Sequence, residues 1–286
     1  MAKLEDYFKD KNVVASFISL ITPESAFSGM RIEPEGEGSV MYVHNTPMIY
    51  FDGNTITEMY LPDVKEINED WLPYDMIKDL RILEMPNLKK IGDEVSFGKV
   101  RKISAPNLKQ VGDWFSMSDE LLEFDAPQLE VVGNGFLRYA KNLKTLNVPN
   151  LRKAGEQFLT HNLELETLSL PKFEGYIDDC MIRNEKLSTL YAPKVNSILC
   201  AFWKTKIEVL DLPNVSMIWK SFRGGSLREV HLPRLIKVQG DVHPLIREAC
   251  QQNQMMTYRQ GIDVVQSTSD ANKKTSNFIK PGDWNR

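Results

Sequence analysis

Nine prolines stand at nearly one period along this chain: Pro62, Pro86, Pro106, Pro127, Pro149, Pro171, Pro193, Pro213 and Pro233. The steps between them are 24, 20, 21, 22, 22, 22, 20 and 20 residues. No other feature constrains the fold so tightly, because a spacing this regular is the mark of a repeat architecture. The flanks repeat as well. In the rung NLKTLNVPNLRKAGEQF, Leu143, Leu146 and Val148 lie six, three and one residues before Pro149, and Leu151 lies two after it. Every other repeat carries apolar residues at these same four places, with alanine sometimes just before the proline. Five residues past the proline the chain is mostly Ile or Val, with Ala154 and Tyr176 as exceptions, and nine past it stands a filler such as Phe115, Phe136, Phe158, Cys180, Phe202 or Phe222. The unit is L-x-x-L-x-L-P-x-L-x-x-I-G-x-x-F.

Its length fixes what it builds. The L-x-L piece alternates with period two and reads as a short strand with both apolar residues on one side. About 21 residues leave room for one strand, a turn and a compact irregular or short helical return, and one such unit cannot bury its apolar side without stacked neighbours. The proline falls just after the last inward residue, where a lost backbone donor matters little. Gly92, Gly112, Gly133 and Gly155 follow six residues on, at a place where a tight bend would take a residue tolerant of positive φ. Later repeats put Ile177, Leu199, Trp219 and Gln239 there, so the return is expected to change shape in the second half.

The repeat resembles the leucine-rich-repeat superfamily, and within it the BspA-type subfamily, whose units run L-x-x-I-x-I-P and then V-x-x-I-G-x-x-A-F. The likeness covers about Ile56 to Val242. It departs in having one residue rather than two between the proline and the next apolar position, and in lacking the cysteine that often follows the aromatic. The resemblance implies an α/β repeat solenoid, a curved stack with a parallel sheet on its concave face, and a role as an adhesion or interaction scaffold. Such proteins are mostly bacterial.

With the residues three and one before each proline inward, those two before point out of the sheet. That series is Tyr60, Glu84, Ser104, Asp125, Asn147, Ser169, Tyr191, Asp211 and His231, and none is aliphatic. Tyr60, Glu84, Asp125, Asn147, Tyr191, Asp211 and His231 are the candidate partner-binding residues. Tyr191 and His231 lead because exposed aromatic rings are enriched at binding hot spots. Thr145, Thr167 and Thr189 form a neighbouring row that suits a structural ladder.

A formal charge of -4 and a pI near 5.7 argue against a general nucleic-acid or anionic-membrane binder. Three cysteines, Cys180, Cys200 and Cys250, make no disulfide framework and no CxxC metal site. The four histidines, His44, His161, His231 and His243, are isolated, and no phosphate loop, nucleophile elbow or zinc-protease motif occurs. The chain is therefore expected to have no catalytic residues, no cofactor and no metal. Lys89, Lys90, Lys109, Arg152 and Lys153 form a basic cluster, read as a solvated edge because Glu130 interrupts it and Glu174 follows it.

Three parts are expected: an N-terminal cap over 1–55, nine repeats over 56–242, and a capping helix with a polar tail over 243–286. The cap would hold an amphipathic helix, with Leu4, Phe8, Val14, Phe17, Ile18 and Ile21 at helical spacing, and two short strands in SVMYVHNTPMIYFDG. The stretch PLIREACQQNQMM from Pro244 to Met256 suits a helix with proline in its first turn. Acidic residues before the apolar run VVASFISLI speak against a signal peptide, which points to a cytoplasmic protein, with leaderless secretion or surface display as the alternative. The function that follows is a non-enzymatic module that binds a protein partner on the concave face. The alternative is a surface or particle-associated adhesin for a host receptor or glycan.

Overall fold

The computed structural model describes residues 30–35, 38–43, 46–52, 55–68, 77–115 and 119–257. The expected N-terminal amphipathic helix and the polar tail beyond residue 257 lie outside them.

Each repeat forms two strands, not one. The first is the expected L-x-L strand before the proline: Thr55–Tyr60, Ile82–Glu84, Lys102–Ser104, Glu123–Asp125, Thr145–Asn147, Thr167–Ser169, Thr189–Tyr191, Val209–Asp211 and Glu229–His231. The second follows the proline: Glu66–Ile67, Lys90–Ile91, Gln110–Val111, Val131–Val132, Lys153–Ala154, Gly175–Asp178, Val195–Leu199, Met217–Trp219 and Lys237–Gln239. Like strands of successive coils pair in parallel and in register, for example Phe124 with Leu146 and Val132 with Ala154. The molecule is a parallel β-solenoid with apolar residues from both sheets meeting inside it. The α/β expectation is corrected accordingly. Among the described residues the long helix is 244–257, and the return of each coil is a second β-strand followed by an irregular third side rather than a short helix. The Ile or Val that most repeats carry five residues past the proline is β-branched and suits a short strand better than a helical turn.

The proline does more than end the strand. The N–H two residues after it donates to the carbonyl just before it, as from Leu151 to Val148 at 3.0 Å and from Leu108 to Ala105 at 3.0 Å. That closes a four-residue turn with proline at its second position, which its fixed φ favours. The residue after the proline then joins coils. The Asn87, Asn107, Asn150 and Asn214 side-chain amides donate to the carbonyls of Pro62, Pro86, Pro127 and Pro193, at 2.7 to 2.8 Å.

The glycines six residues past the proline have a different reason from the one expected. None of Gly92, Gly112, Gly133 and Gly155 has positive φ. At Gly112 a Cβ would sit 2.7 Å from the backbone nitrogen of Asp93 and would meet that residue's Oδ1 as well. The coils close tightly here because the side chain after each glycine accepts an N–H from the next coil: Asp93 Oδ1 from Asp113 at 2.8 Å, Asp113 Oδ1 from Asn134 at 2.7 Å, and Asn134 Oδ1 from Glu156 at 2.8 Å. Where the glycine is replaced, the second strand runs on, as in Val195–Leu199 and Met217–Trp219.

At the changeover the register slips. Gly175 and Tyr176 flank a bulge, Ile177 pairs with Ile198, and Tyr176 turns outward, so Ile177 rather than Tyr176 is the inward residue. The aromatic fillers nine residues past the proline form two stacks, one on either side of the buried Cys180. Phe115, Phe136 and Phe158 stack in one at 5.8 and 5.9 Å, and Phe202 and Phe222 stack in the next at 4.9 Å.

The third side of each coil carries left-handed residues at alternate positions: Gln157, Leu159 and His161; Asp179, Met181 and Arg183; Cys200, Phe202 and Lys204; Lys220, Phe222 and Gly224. Their N–H groups point alternately forward and back along the stack. Gln157 donates to Asp179 at 3.1 Å, Leu159 to Phe136 at 3.1 Å, and His161 to Ile182 at 2.8 Å. This inter-coil bonding sustains a conformation that costs a non-glycine residue about 1–2 kcal/mol.

At the start, Met30–Glu35, Gly38–Val43 and Thr46–Asp52 run antiparallel and lead into Thr55–Tyr60. At the end, helix 244–257 lies over the last coil, where Asn253 Nδ2 donates to the carbonyls of Leu232 and Leu235 and Gln254 Nε2 to that of Ile236.

Candidate functional site

The strand before each proline alternates an inward apolar residue with outward neighbours, so the outer face of the first sheet is set by two positions per coil. One column contains Tyr60, Glu84, Ser104, Asp125 and Asn147 as successive paired residues. The same position continues as the pair Ser169 and Tyr191 and the pair Asp211 and His231. Glu84, Asn147, Tyr191, Asp211 and His231 are exposed, and Tyr60 and Asp125 half-buried. Asn147 Nδ2 donates to Asp125 Oδ1 at 2.6 Å, which fixes two of the candidates on each other. In the neighbouring column Thr167 pairs with Thr189, whereas Thr145 pairs with Glu123.

The ladder of the first sheet is not continuous. Hydrogen-bonded pairing stops between Thr145–Asn147 and Thr167–Ser169, and again between Thr189–Tyr191 and Val209–Asp211. At the second break a cleft of about 480 Å³ opens, lined by Ser188, Thr189, Leu190, Lys206, Glu208, Val209 and Asp211. Beside this break Tyr191 is 55 % exposed, and Val209 in its wall is 56 % exposed. Val209 was absent from the candidates read from sequence. Its signal was present, since it replaces the polar residue otherwise common four positions before the proline, but no sequence pattern marks where a ladder opens.

The basic cluster after the proline is a charge ladder. Lys109 Nζ lies 3.9 Å from Glu130 Oε1, Arg152 Nη1 3.4 Å from Glu174 Oε1, and Lys194 Nζ 3.8 Å from the same Glu174 oxygen. Exposed pairs of this kind contribute little to stability.

Burial and hydrogen bonding bear on the chemistry available. The Cys180 thiol donates to the Asp178 carbonyl at 2.7 Å, and burial pushes its pKa up to about 12, so it is held as a thiol. Burial also raises the pKa of Cys200 and Cys250. Burial, then the Arg183, Arg138 and Lys141 charges, lowers the pKa of His161, whose ring lies 4.7 Å from that of Tyr139. Among the described residues no cluster of three His, Cys, Asp or Glu could hold a metal ion, and no helix is long and apolar enough to cross a membrane.

No protein-family model and no curated protein matches the chain. Among solved structures the chain is similar to a leucine-rich repeat protein from Bacteroides ovatus ATCC 8483, at 12 % identity over 78 % of this chain and 79 % of that one, with a TM-score of 0.27.

Proposed function

We propose that the chain is a non-enzymatic interaction module, a BspA-like leucine-rich-repeat stack that presents the outer face of its first sheet to a protein partner. The observation that carries this reading is the cleft between Thr189–Tyr191 and Val209–Asp211, where the exposed Val209 side chain lies among Lys206, Glu208 and Asp211, with the exposed Tyr191 ending the neighbouring strand. Apolar anchors rimmed by charge are the usual make-up of a protein-binding hot spot. Nine strands about 4.8 Å apart span on the order of 40 Å, long enough for an interface of about 800 Å² per partner. Tyr191, Asp211 and His231 form the centre of the contact, and Tyr60, Glu84, Asp125 and Asn147 extend it toward the N-terminal end. Residues 1–55 serve as an N-terminal cap and 243–286 as a capping helix followed by a polar tail, the partner is met inside the cell, and the chain is bacterial.

The test is affinity capture from the native source with wild-type protein and with a Tyr191→Ala/His231→Ala double variant of equal thermal stability. A partner recovered by wild type and lost by the variant supports the reading. Equal recovery by both discards this face as the contact.

A further inference from the structure

A second cleft lies on the third side of the coils, formed by segments that alternate in sequence with the strands carrying Tyr191, Asp211 and His231. It measures about 660 Å³ and is lined by residues of three coils and by the start of the C-terminal helix. We propose that it binds a small organic anion, a carboxylate or phosphate carried on an apolar body.

Tyr139, His161, Arg183, Lys204 and Gly224 form a row of left-handed residues along this side. In this row each N–H donates to the following coil: Tyr139 to Thr160 at 2.9 Å, His161 to Ile182 at 2.8 Å, Arg183 to Trp203 at 2.8 Å, and Lys204 to Arg223 at 2.9 Å. At Gly224 the series ends, because the next coil is cut short by helix 244–257. Among the described residues no carbonyl receives the Gly224 N–H, and Gly224 lines the cleft. A backbone N–H without an acceptor at the wall of a cleft is a donor free for an oxyanion.

The side chains add charge of one sign. Arg183 and Lys204 occupy successive places in the row, about one strand spacing apart, where like charges repel. Among the described residues neither makes an ion pair. The cleft's one carboxylate, Asp241, is already engaged by Arg223 Nε at 2.7 Å. Arg183 and Lys204 therefore remain as uncompensated cations, and the first turn of a 14-residue helix, 244–257, adds its positive end beside them.

The rest of the lining is apolar: Ile182, Phe222, Val242 and Trp203. The Trp203 ring is pinned, since its Nε1 donates to the Lys220 carbonyl at 2.7 Å and the Arg223 guanidinium lies 5.0 Å from its centroid. A volume of this size suits a small molecule, and a few convergent polar groups in an apolar wall set its orientation.

The experiment is calorimetric titration of the full chain with phenyl phosphate and with inorganic phosphate. Phenyl phosphate is expected to bind saturably, about tenfold or more tightly than inorganic phosphate. Arg183→Gln/Lys204→Gln is expected to weaken it by about tenfold or more, while Lys153→Gln, on another side, leaves it unchanged. Thermal melts of each variant separate loss of the site from loss of the fold. No saturable binding at about 10 mM, or equal binding by wild type and the double variant, overturns the proposal. Equal affinity for the two phosphates overturns its apolar part and leaves an oxyanion site.

Discussion

Replacing Gly133 with alanine isolates what holds the coils together. The φ of Gly133 is not left-handed, so by backbone preference alone the substitution ought to stabilise by about 0.4–1 kcal/mol through a less flexible unfolded chain. The packing predicts the opposite sign. A Cβ there would lie 2.6 Å from the Asp113 nitrogen and 2.6 Å from the Gly112 carbonyl carbon, where ordinary contact begins at 3.4 Å, so the coils must part locally by about 0.8 Å. Parting them stretches the bonds from Asn134 N–H to Asp113 Oδ1 at 2.7 Å and from Gly133 N–H to the Val111 carbonyl at 2.9 Å. Overpacking costs about 1–3 kcal/mol and each weakened hydrogen bond up to about 1, so a net loss of roughly 2–4 kcal/mol is expected. In a chain this size that is a fall in melting temperature of roughly 5–12 °C. Urea unfolding followed by circular dichroism measures it. Adding Asp113→Ala should recover only part of the loss, because the backbone contacts remain. A Gly133→Ala protein as stable as wild type, or more so, would refute the close approach of the coils.

Other perturbations follow from the same geometry. Phe136 is fully buried between Phe115 and Phe158, and Phe136→Ala should cost about 3–5 kcal/mol in chemical unfolding. Gly224 has φ +63° and a Cβ there would meet only Lys204 Cγ at 4.0 Å, an ordinary contact, so Gly224→Ala should destabilise by about 1 kcal/mol through backbone strain, while Lys204→Gly, at φ 56° in the same row, should stabilise by a comparable or smaller amount. His161 has a lowered folded-state pKa, so the unfolded chain binds more protons below the ordinary histidine range. Its contribution to stability is thus intact above about pH 6.5 and falls as pH drops from there to the folded pKa, and His161→Gln should flatten that part of the stability profile. Cys180 should resist alkylation by iodoacetamide until the chain unfolds, and rapid native-state labelling would contradict its burial.

Part of this structure was legible in the residues because it depends on a period. Leu146 and Val148 alternate around Asn147, and that alternation placed the first strand and the outward column containing Tyr191 and His231. The proline marked the turn. The second strand escaped notice because it is only two residues long in the first five coils, too short for any alternation to register. The glycines misled for a related reason: a conserved spacing reports that a Cβ is excluded, not whether φ or a neighbouring coil excludes it. The slip at Gly175 and Tyr176 hid behind residues that fit two registers equally, since Tyr176 and Ile177 are both acceptable strand formers. The two clefts depend on where ladders stop, at Tyr191 and at Gly224, and a stop is a property of the assembled stack.

Cysteine cross-linking reads the register of that stack directly. In a background without the three native cysteines, Thr167→Cys/Thr189→Cys joins residues that are direct partners on adjacent coils. Thr167→Cys/Leu190→Cys joins residues on opposite sides of the sheet. The solenoid predicts rapid disulfide formation under mild oxidation in the first pair and little in the second. Equal yields in both, or a preference for the second, would contradict it.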